Sequence, residues 1–178
     1  MTPRCYLDFC PVARDGVNPP VIMSGVMSIL HGYFRAHPDN MAIALPNYDT
    51  DPFLSLRVFA ESTLALDALV ANISRHPKIR DYTKMEQAKP VPETWHGKWV
   101  EFRRFRIPTK KAGVDQLRAK RQAMLNDLPF FSMRSQSTGQ TFILPIEKIN
   151  IQEQLTSGGA PDSYGLSRLS NRVILPDI

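Results

Sequence analysis

Arg134-Ser135-Gln136-Ser137-Thr138-Gly139-Gln140, followed by Thr141-Phe142-Ile143-Leu144, reads as the tip of a β-hairpin. Phe130 to Gln136 forms the inbound strand, Ser137 to Gln140 the tight turn, and Thr141 to Ile146 the outbound strand. Gly139 supplies the positive φ that such a turn often needs. Alternation sends Phe131, Met133, Ser135 and Ser137 to one face, with Arg134 and Gln136 on the other. Ser, Thr, Gly and Gln are ordinary turn residues. A row of hydroxyls beside an arginine and two glutamines also has the hydrogen-bonding groups to meet ribose hydroxyls and phosphate oxygens.

The N-terminal half reads as strand, helix, strand, strand, helix, strand. Arg4 to Val12 is the first strand. Pro19 and Pro20 suit the first turn of a helix, and from Val21 to Arg35 apolar residues recur at helical spacing. Met23, Met27, Leu30 and Phe34 form one row, and Ile22, Val26, Ile29 and Tyr33 another. Ser24, Ser28, His31 and Arg35 make the opposite, polar stripe, and Pro38-Asp39-Asn40 ends the helix. Met41 to Leu45 and Leu54 to Ala60 are short strands around the polar turn Asn47 to Asp51. Ser62 or Thr63 caps a second helix with Leu66, Leu69, Val70 and Ile73 on one face. Thr83 to Val91 is a fourth strand that Pro90 and Pro92 confine to an edge. This order predicts an α+β protein: a ferredoxin-like N-terminal domain over residues 1–92, then a smaller C-terminal α/β part over 93–178 with a basic helix and the hairpin. Pro90-Val91-Pro92-Glu93-Thr94 marks the boundary.

The 178 residues suffice for one good core or two small ones packed together, and 43% hydrophobic content is ordinary for a globular chain. No apolar run is long enough to span a bilayer, and no signal-peptide pattern opens the sequence. The expectation is a cytoplasmic protein without a membrane partner. Cys5 and Cys10 face opposite sides of one strand, which argues against a local disulfide or a zinc pair and for two buried structural thiols.

Charge is concentrated. Gly97 to Arg121 holds nine lysines and arginines against Glu101 and Asp115, a local excess of +7 where the whole chain carries +5. Trp99 to Arg106 is strand-like, with Phe102, Arg104 and Arg106 on one face and Arg103 and Phe105 on the other. Val114 to Asn126 is helical, with Leu117, Met124 and Leu125 as its apolar stripe and Arg118 and Arg121 sharing a face beside Lys120. Such a segment favours an acidic partner, with RNA ahead of a merely solvated basic face. The four histidines show no metal-ligand spacing, and no acidic cluster suggests magnesium. No metal and no small-molecule cofactor is expected. A serine hydrolase is disfavoured because no Gly-x-Ser-x-Gly elbow occurs.

The run Arg-Ser-Gln-Ser-Thr-Gly-Gln-x-Phe after Leu128-Pro129-Phe130, with Ser163-Tyr164-Gly165-Leu166-Ser167, resembles the CRISPR RNA-processing endoribonuclease of subtype I-F. Tyr6-Leu7-Asp8 and the helix from Ile22-Met23-Ser24 through Leu30-His31 extend the resemblance over most of the chain. The resemblance implies a ferredoxin-like N-terminal half and a metal-independent endoribonuclease that binds the repeat hairpin of precursor CRISPR RNA. Cleavage at the 3′ base of the stem would leave a 2′,3′-cyclic phosphate. It implies His31 as the base, Ser135 to orient the 2′-hydroxyl, and Tyr164 to position His31 or the scissile phosphate. Ser137 and Thr138 would bind phosphate beside Gln140, and Phe142 would stack under the last base pair. Arg118, Lys120 and Arg121 match the family's basic helix, and Arg104 and Arg106 its base-reading linker. The implied partners are the repeat hairpin and other subunits of a subtype I-F surveillance complex. The alternative is a subunit that binds and caps the CRISPR RNA without cutting it.

Overall fold

Two antiparallel sheets share one helix. The structure, a computed structural model, describes residues 1–14, 16–37, 40–108, 115–135, 137–152 and 158–178. Asp15, Pro38, Asp39, Lys110, Lys111, Val114 and Gln136, on which parts of the sequence reading fall, lie outside the described residues.

The N-terminal half comprises β1 (Cys5–Pro11), α1 (Pro19–Ala36), β2 (Ala42–Ala44), β3 (Leu56–Ala60), α2 (Thr63–Ile73), α3 (Pro77–Tyr82), β4 (Thr83–Met85) and β5 (Lys89–Pro90). Its sheet runs β2-β3-β1-β4, with β5 also pairing β1. That order, with α1 and α2 as crossovers, is the ferredoxin-like arrangement expected. Local chemistry fixes the helix starts. The Asn18 side chain accepts from the Val21 amide with Pro19 and Pro20 in the first turn, and the Ser62 hydroxyl accepts from the Ala65 amide. Met23, Val26, Met27 and Leu30 of α1 are wholly buried.

Three details differ from expectation. The six-residue α3 is too short to show a periodicity. The single fourth strand is two short ones, β4 and β5, both on β1. Cys5 is buried and Cys10 only half-buried, and both are free thiols.

The C-terminal half adds β6 (Trp99–Arg104), α4 (Asp115–Met124), a 3-10 turn (Leu125–Asp127), β7 (Phe130–Arg134), β8 (Thr141–Ile151) and β9 (Leu175–Pro176). The second sheet is ordered β7-β8-β6-β9. The hairpin pairs Phe131 with Leu144 and Met133 with Phe142, so these four share a face. Phe102 and Phe105, expected on opposite faces, are both buried in different surroundings: Phe102 in the main core against Tyr48, and Phe105 under the Arg121 guanidinium of α4. The α4 stripe does not pack as predicted. The helix buries no residue, and Leu117 and Met124 are 51% and 45% exposed. Two arginines tie it down instead. Arg118 donates to the Pro108 carbonyl (2.7 Å). Arg121 donates to the Arg106 carbonyl (2.8 Å) and lies 3.8 Å from the Phe105 ring centroid.

The polar stripe of α1 faces the second sheet rather than solvent. Ser24 is buried, and its hydroxyl accepts from the Ser132 amide of β7 (3.0 Å). That satisfies a strand amide for which the helix backbone offers nothing. One turn on, the Ser28 hydroxyl reaches the Met133 sulfur (3.6 Å). Loop residues 47–53 strengthen the joint: Tyr48 donates to the Ile146 carbonyl, and Lys148 pairs with Asp49 and Asp177. Buried residues of both halves form one cluster.

The last segment is clamped to the second sheet by a buried carboxylate. Glu101 is fully buried, pairs with Arg103 (2.5 Å) and Arg172 (3.0 Å), and accepts from the Ser167 hydroxyl. Burial alone would raise its pKa, but hydrogen bonds from Arg103, Ser167 and Arg172 outweigh it and hold the carboxyl below the ordinary glutamate value. A folded-state pKa below the unfolded one gives stability that is complete above the unfolded value and lost as pH falls toward the folded one. Urea unfolding across a pH series checks this. Glu101→Gln lowers stability by about 3 kcal/mol at neutral pH, since it leaves two arginines without their anion. The difference from wild type shrinks as pH drops below the ordinary glutamate range.

Candidate active site

His31 sits near the end of α1, half-buried, where the polar stripe runs out toward exposed Arg35. Its Nδ1 lies 2.7 Å from the Ser163 carbonyl oxygen. A carbonyl only accepts, so Nδ1 carries the proton, and in the neutral ring Nε2 presents a lone pair. The Tyr164 ring stacks on the imidazole with centroids 4.0 Å apart and planes 6° from parallel. One backbone oxygen therefore sets the tautomer while one aromatic face sets the ring plane.

The sequence singled out Tyr164 but missed what holds it. The Asp162 carboxylate accepts from the amides of Tyr164 (2.8 Å) and Leu166 (3.0 Å). Gly165 has φ 74° and accepts from the Ile43 amide of β2 (2.8 Å). On the far side the Ser167 amide donates to the Phe102 carbonyl of β6 (2.9 Å). The turn carrying Tyr164 thus bridges both sheets. An aspartate followed by small and aromatic residues and a glycine is a turn signal that could have revealed Asp162.

The hairpin tip forms a second cluster. Ser135 pairs with Gln140 through its amide, and its carbonyl accepts from the Gly139 amide (2.9 Å each), with Gly139 at φ 70°. Its hydroxyl is 3.1 Å from that of Ser137 and accepts from the Thr138 amide (3.2 Å). Arg134 donates to the Gly139 carbonyl (3.1 Å). Ser137, Thr138 and Gln140 are exposed and Ser135 is half-buried. No hydrogen bond or ring contact joins this cluster to His31 among the described residues. Both lie beyond one seam: Ser24 meets Ser132 and Ser28 meets Met133, with His31 next along the stripe of α1 and Ser135 just past the end of β7.

Phe142 lies opposite Met133, on the face turned to α1, with the Arg104 guanidinium 5.8 Å from its ring centroid. Arg104 and Arg106 also line a cavity of about 420 Å³ with Phe105, Ile107 and Ile143. Arg121 is occupied within the protein, since it also pairs with Glu147 (3.3 Å), whereas Lys120 is exposed. A cleft of about 780 Å³ opens between the first turns of α1 and β7, lined by Val21, Ser24, Phe53, Pro129 and Phe130. It includes none of His31, Ser135 or Tyr164.

The ferredoxin-like sheet offers an aromatic pair that is closed to bases. Tyr6 and Phe59 lie opposite each other on β1 and β3, the strands from which some RNA-binding sheets stack bases. Phe59 is fully buried, and the Arg57 guanidinium covers Tyr6 at 4.1 Å, held there by a bidentate pair with Asp8 (2.6 and 2.7 Å). No helix among the described residues is long and apolar enough to cross a membrane. No group of three or more His, Cys, Asp or Glu side chains among them is placed to hold a metal ion.

No curated protein matches the chain. The family model described as CRISPR-associated protein (Cas_Csy4) matches residues 6–176, from β1 through β9. With a match of that span, the chain belongs to the Csy4-type family of CRISPR-associated proteins, the subtype I-F endoribonucleases, which process CRISPR RNA.

Proposed function

We propose that this protein binds the repeat hairpin of precursor CRISPR RNA and cuts it at the 3′ base of the stem without a metal ion. The observation that carries the reading is His31: Nδ1–H is committed to the Ser163 carbonyl, the ring is stacked on Tyr164, and Nε2 is left to accept a proton. Nε2 takes the proton from the ribose 2′-hydroxyl beside the scissile phosphate. The 2′-oxygen attacks phosphorus, the bond from phosphorus to the 5′-oxygen breaks, and that oxygen leaves as a 5′-hydroxyl with a proton from water. A 2′,3′-cyclic phosphate remains. Ser135 orients the 2′-hydroxyl for in-line approach, and the hydroxyls of Ser137 and Thr138 with Gln140 hold the neighbouring phosphates. Phe142, beside Arg104, stacks under the last base pair of the stem, and Arg104 and Arg106 read its edges. Lys120, Arg118 and Arg121 meet the phosphates of the stem. After cutting, the protein stays on its product and joins other subunits of a surveillance complex.

Incubation of a labelled repeat hairpin with protein in EDTA tests the reading. Wild-type protein cleaves it, while His31→Ala binds within a few-fold of wild type and cleaves at least roughly 100-fold more slowly. Cleavage that requires added magnesium, or a His31→Ala variant that cuts normally, would remove the proposed mechanism. Binding without any cleavage would favour a capping subunit.

The anchoring of α4 separates two kinds of basic residue. Lys120→Ala lowers the slope of log affinity against log salt by about 0.7 to 0.9, the signature of one lost phosphate contact. Arg121→Ala weakens binding further, because it also frees the helix from Phe105, Arg106 and Glu147. Faster amide exchange along α4 in Arg121→Ala, with no change in Lys120→Ala, reports that release. Equal exchange in the two variants would count against the anchoring role.

A further inference from the structure

The His31 imidazole is held by a turn, and that turn is held by one carboxylate. Residues 162–166 close on themselves through four hydrogen bonds. The Asp162 carboxylate accepts from the Tyr164 and Leu166 amides, the Asp162 amide donates to the Leu166 carbonyl (2.8 Å), and the Gly165 amide donates to the Asp162 carbonyl (2.9 Å). The loop presents two groups to His31, the Ser163 carbonyl and the Tyr164 ring. Its position is fixed from outside at Gly165. A Cβ added there would lie 2.9 Å from the Ile43 side chain and 3.0 Å from that of Phe34, so only glycine fits against β2 and the end of α1.

We propose that Asp162 is the positioning residue of the site: by closing this turn it aims the Ser163 carbonyl at Nδ1 of His31 and so keeps the proton off Nε2. The proposal rests on His31 acting as the base. An imidazole free in solution prefers its proton on Nε2, which leaves that nitrogen no lone pair with which to take a proton from a 2′-hydroxyl. The bond to Ser163 reverses that preference, and it reaches across 132 residues of chain to do so. Without the carboxylate, the Tyr164 and Leu166 amides lose their acceptor and the Ser163 carbonyl is no longer aimed. A histidine catalyst whose tautomer is no longer fixed can lose about 10⁴-fold in rate. The loss here is smaller, since Gly165 and Ser167 still pin the turn on either side.

Nitrogen-15 spectra of the His31 ring in RNA-free protein at pH 8, read beside cleavage and hairpin affinity, test this. The wild-type ring carries its proton on Nδ1. In Asp162→Ala a mixture of tautomers appears, cleavage falls roughly 10- to 100-fold, and affinity stays within about two-fold. Asp162→Asn, whose amide oxygen can still accept both bonds, keeps the Nδ1–H tautomer and cleaves within a few-fold of wild type. A wild-type ring protonated on Nε2 overturns the proposal, and that spectrum needs no variant to fold. An Nδ1–H tautomer retained in folded Asp162→Ala overturns it as well. Tautomers that shift as expected in a protein that cuts no repeat hairpin would leave the positioning role intact and defeat the proposed function instead.

Discussion

The polar stripe of α1 is the constraint on which the rest depends. Its apolar side packs on the first sheet, and its other side must meet the second, so a single helix is enclosed from two directions. A fully apolar helix would fill the same space but would leave the Ser132 amide without an acceptor, a cost of about 1–3 kcal/mol. Ser24 supplies the acceptor, and Ser28 continues the line. His31 is the next member, and there the second sheet gives way to the turn at Ser163 and Tyr164. The catalytic candidate is thus an extension of the same seam that holds the two halves together.

This arrangement divides the candidate site into a part tied to both sheets and a part tied only within the hairpin tip. Tautomer and ring plane of His31 are set inside the protein, by groups attached to β2 and β6. The hydroxyls of Ser135, Ser137 and Thr138 satisfy one another and the backbone of their own turn. Hydroxyls bonded this way can exchange partners for phosphate oxygens with little reordering, which favours binding. The basic helix is built on a similar economy. With no buried residue and only ten residues of length, α4 is held by Arg118 and Arg121 rather than by a core, and an isolated helix of that length is marginal in water.

Much of this is legible in the sequence. The heptad-like recurrence from Met23 to Phe34, the Ser62 cap and the glycine of the hairpin turn are local signals, and each element they announce is present. The misses share a physical cause. The Leu117 and Met124 stripe obeys helical spacing, yet spacing does not say whether anything lies against it. The Asp162 carboxylate bonds within its own turn, but that turn meets His31 through Ser163, 132 residues along the chain, and no local pattern encodes that meeting. Family resemblance points to His31, Ser135 and Tyr164 as a set; the fold joins His31 with Tyr164 and leaves Ser135 with the hairpin.

The central claim is that a ribose hydroxyl of the substrate, taken up by His31, is the nucleophile. The measurement that tests it most directly is the chemistry of the cut ends of a repeat hairpin, read by mass spectrometry beside a substrate with one 2′-hydroxyl replaced by hydrogen at the cut site. The account predicts a 2′,3′-cyclic phosphate facing a 5′-hydroxyl, with no cutting of the deoxy substrate despite near-normal binding. A 3′-hydroxyl facing a 5′-phosphate, or undiminished cutting of the deoxy substrate, would contradict it.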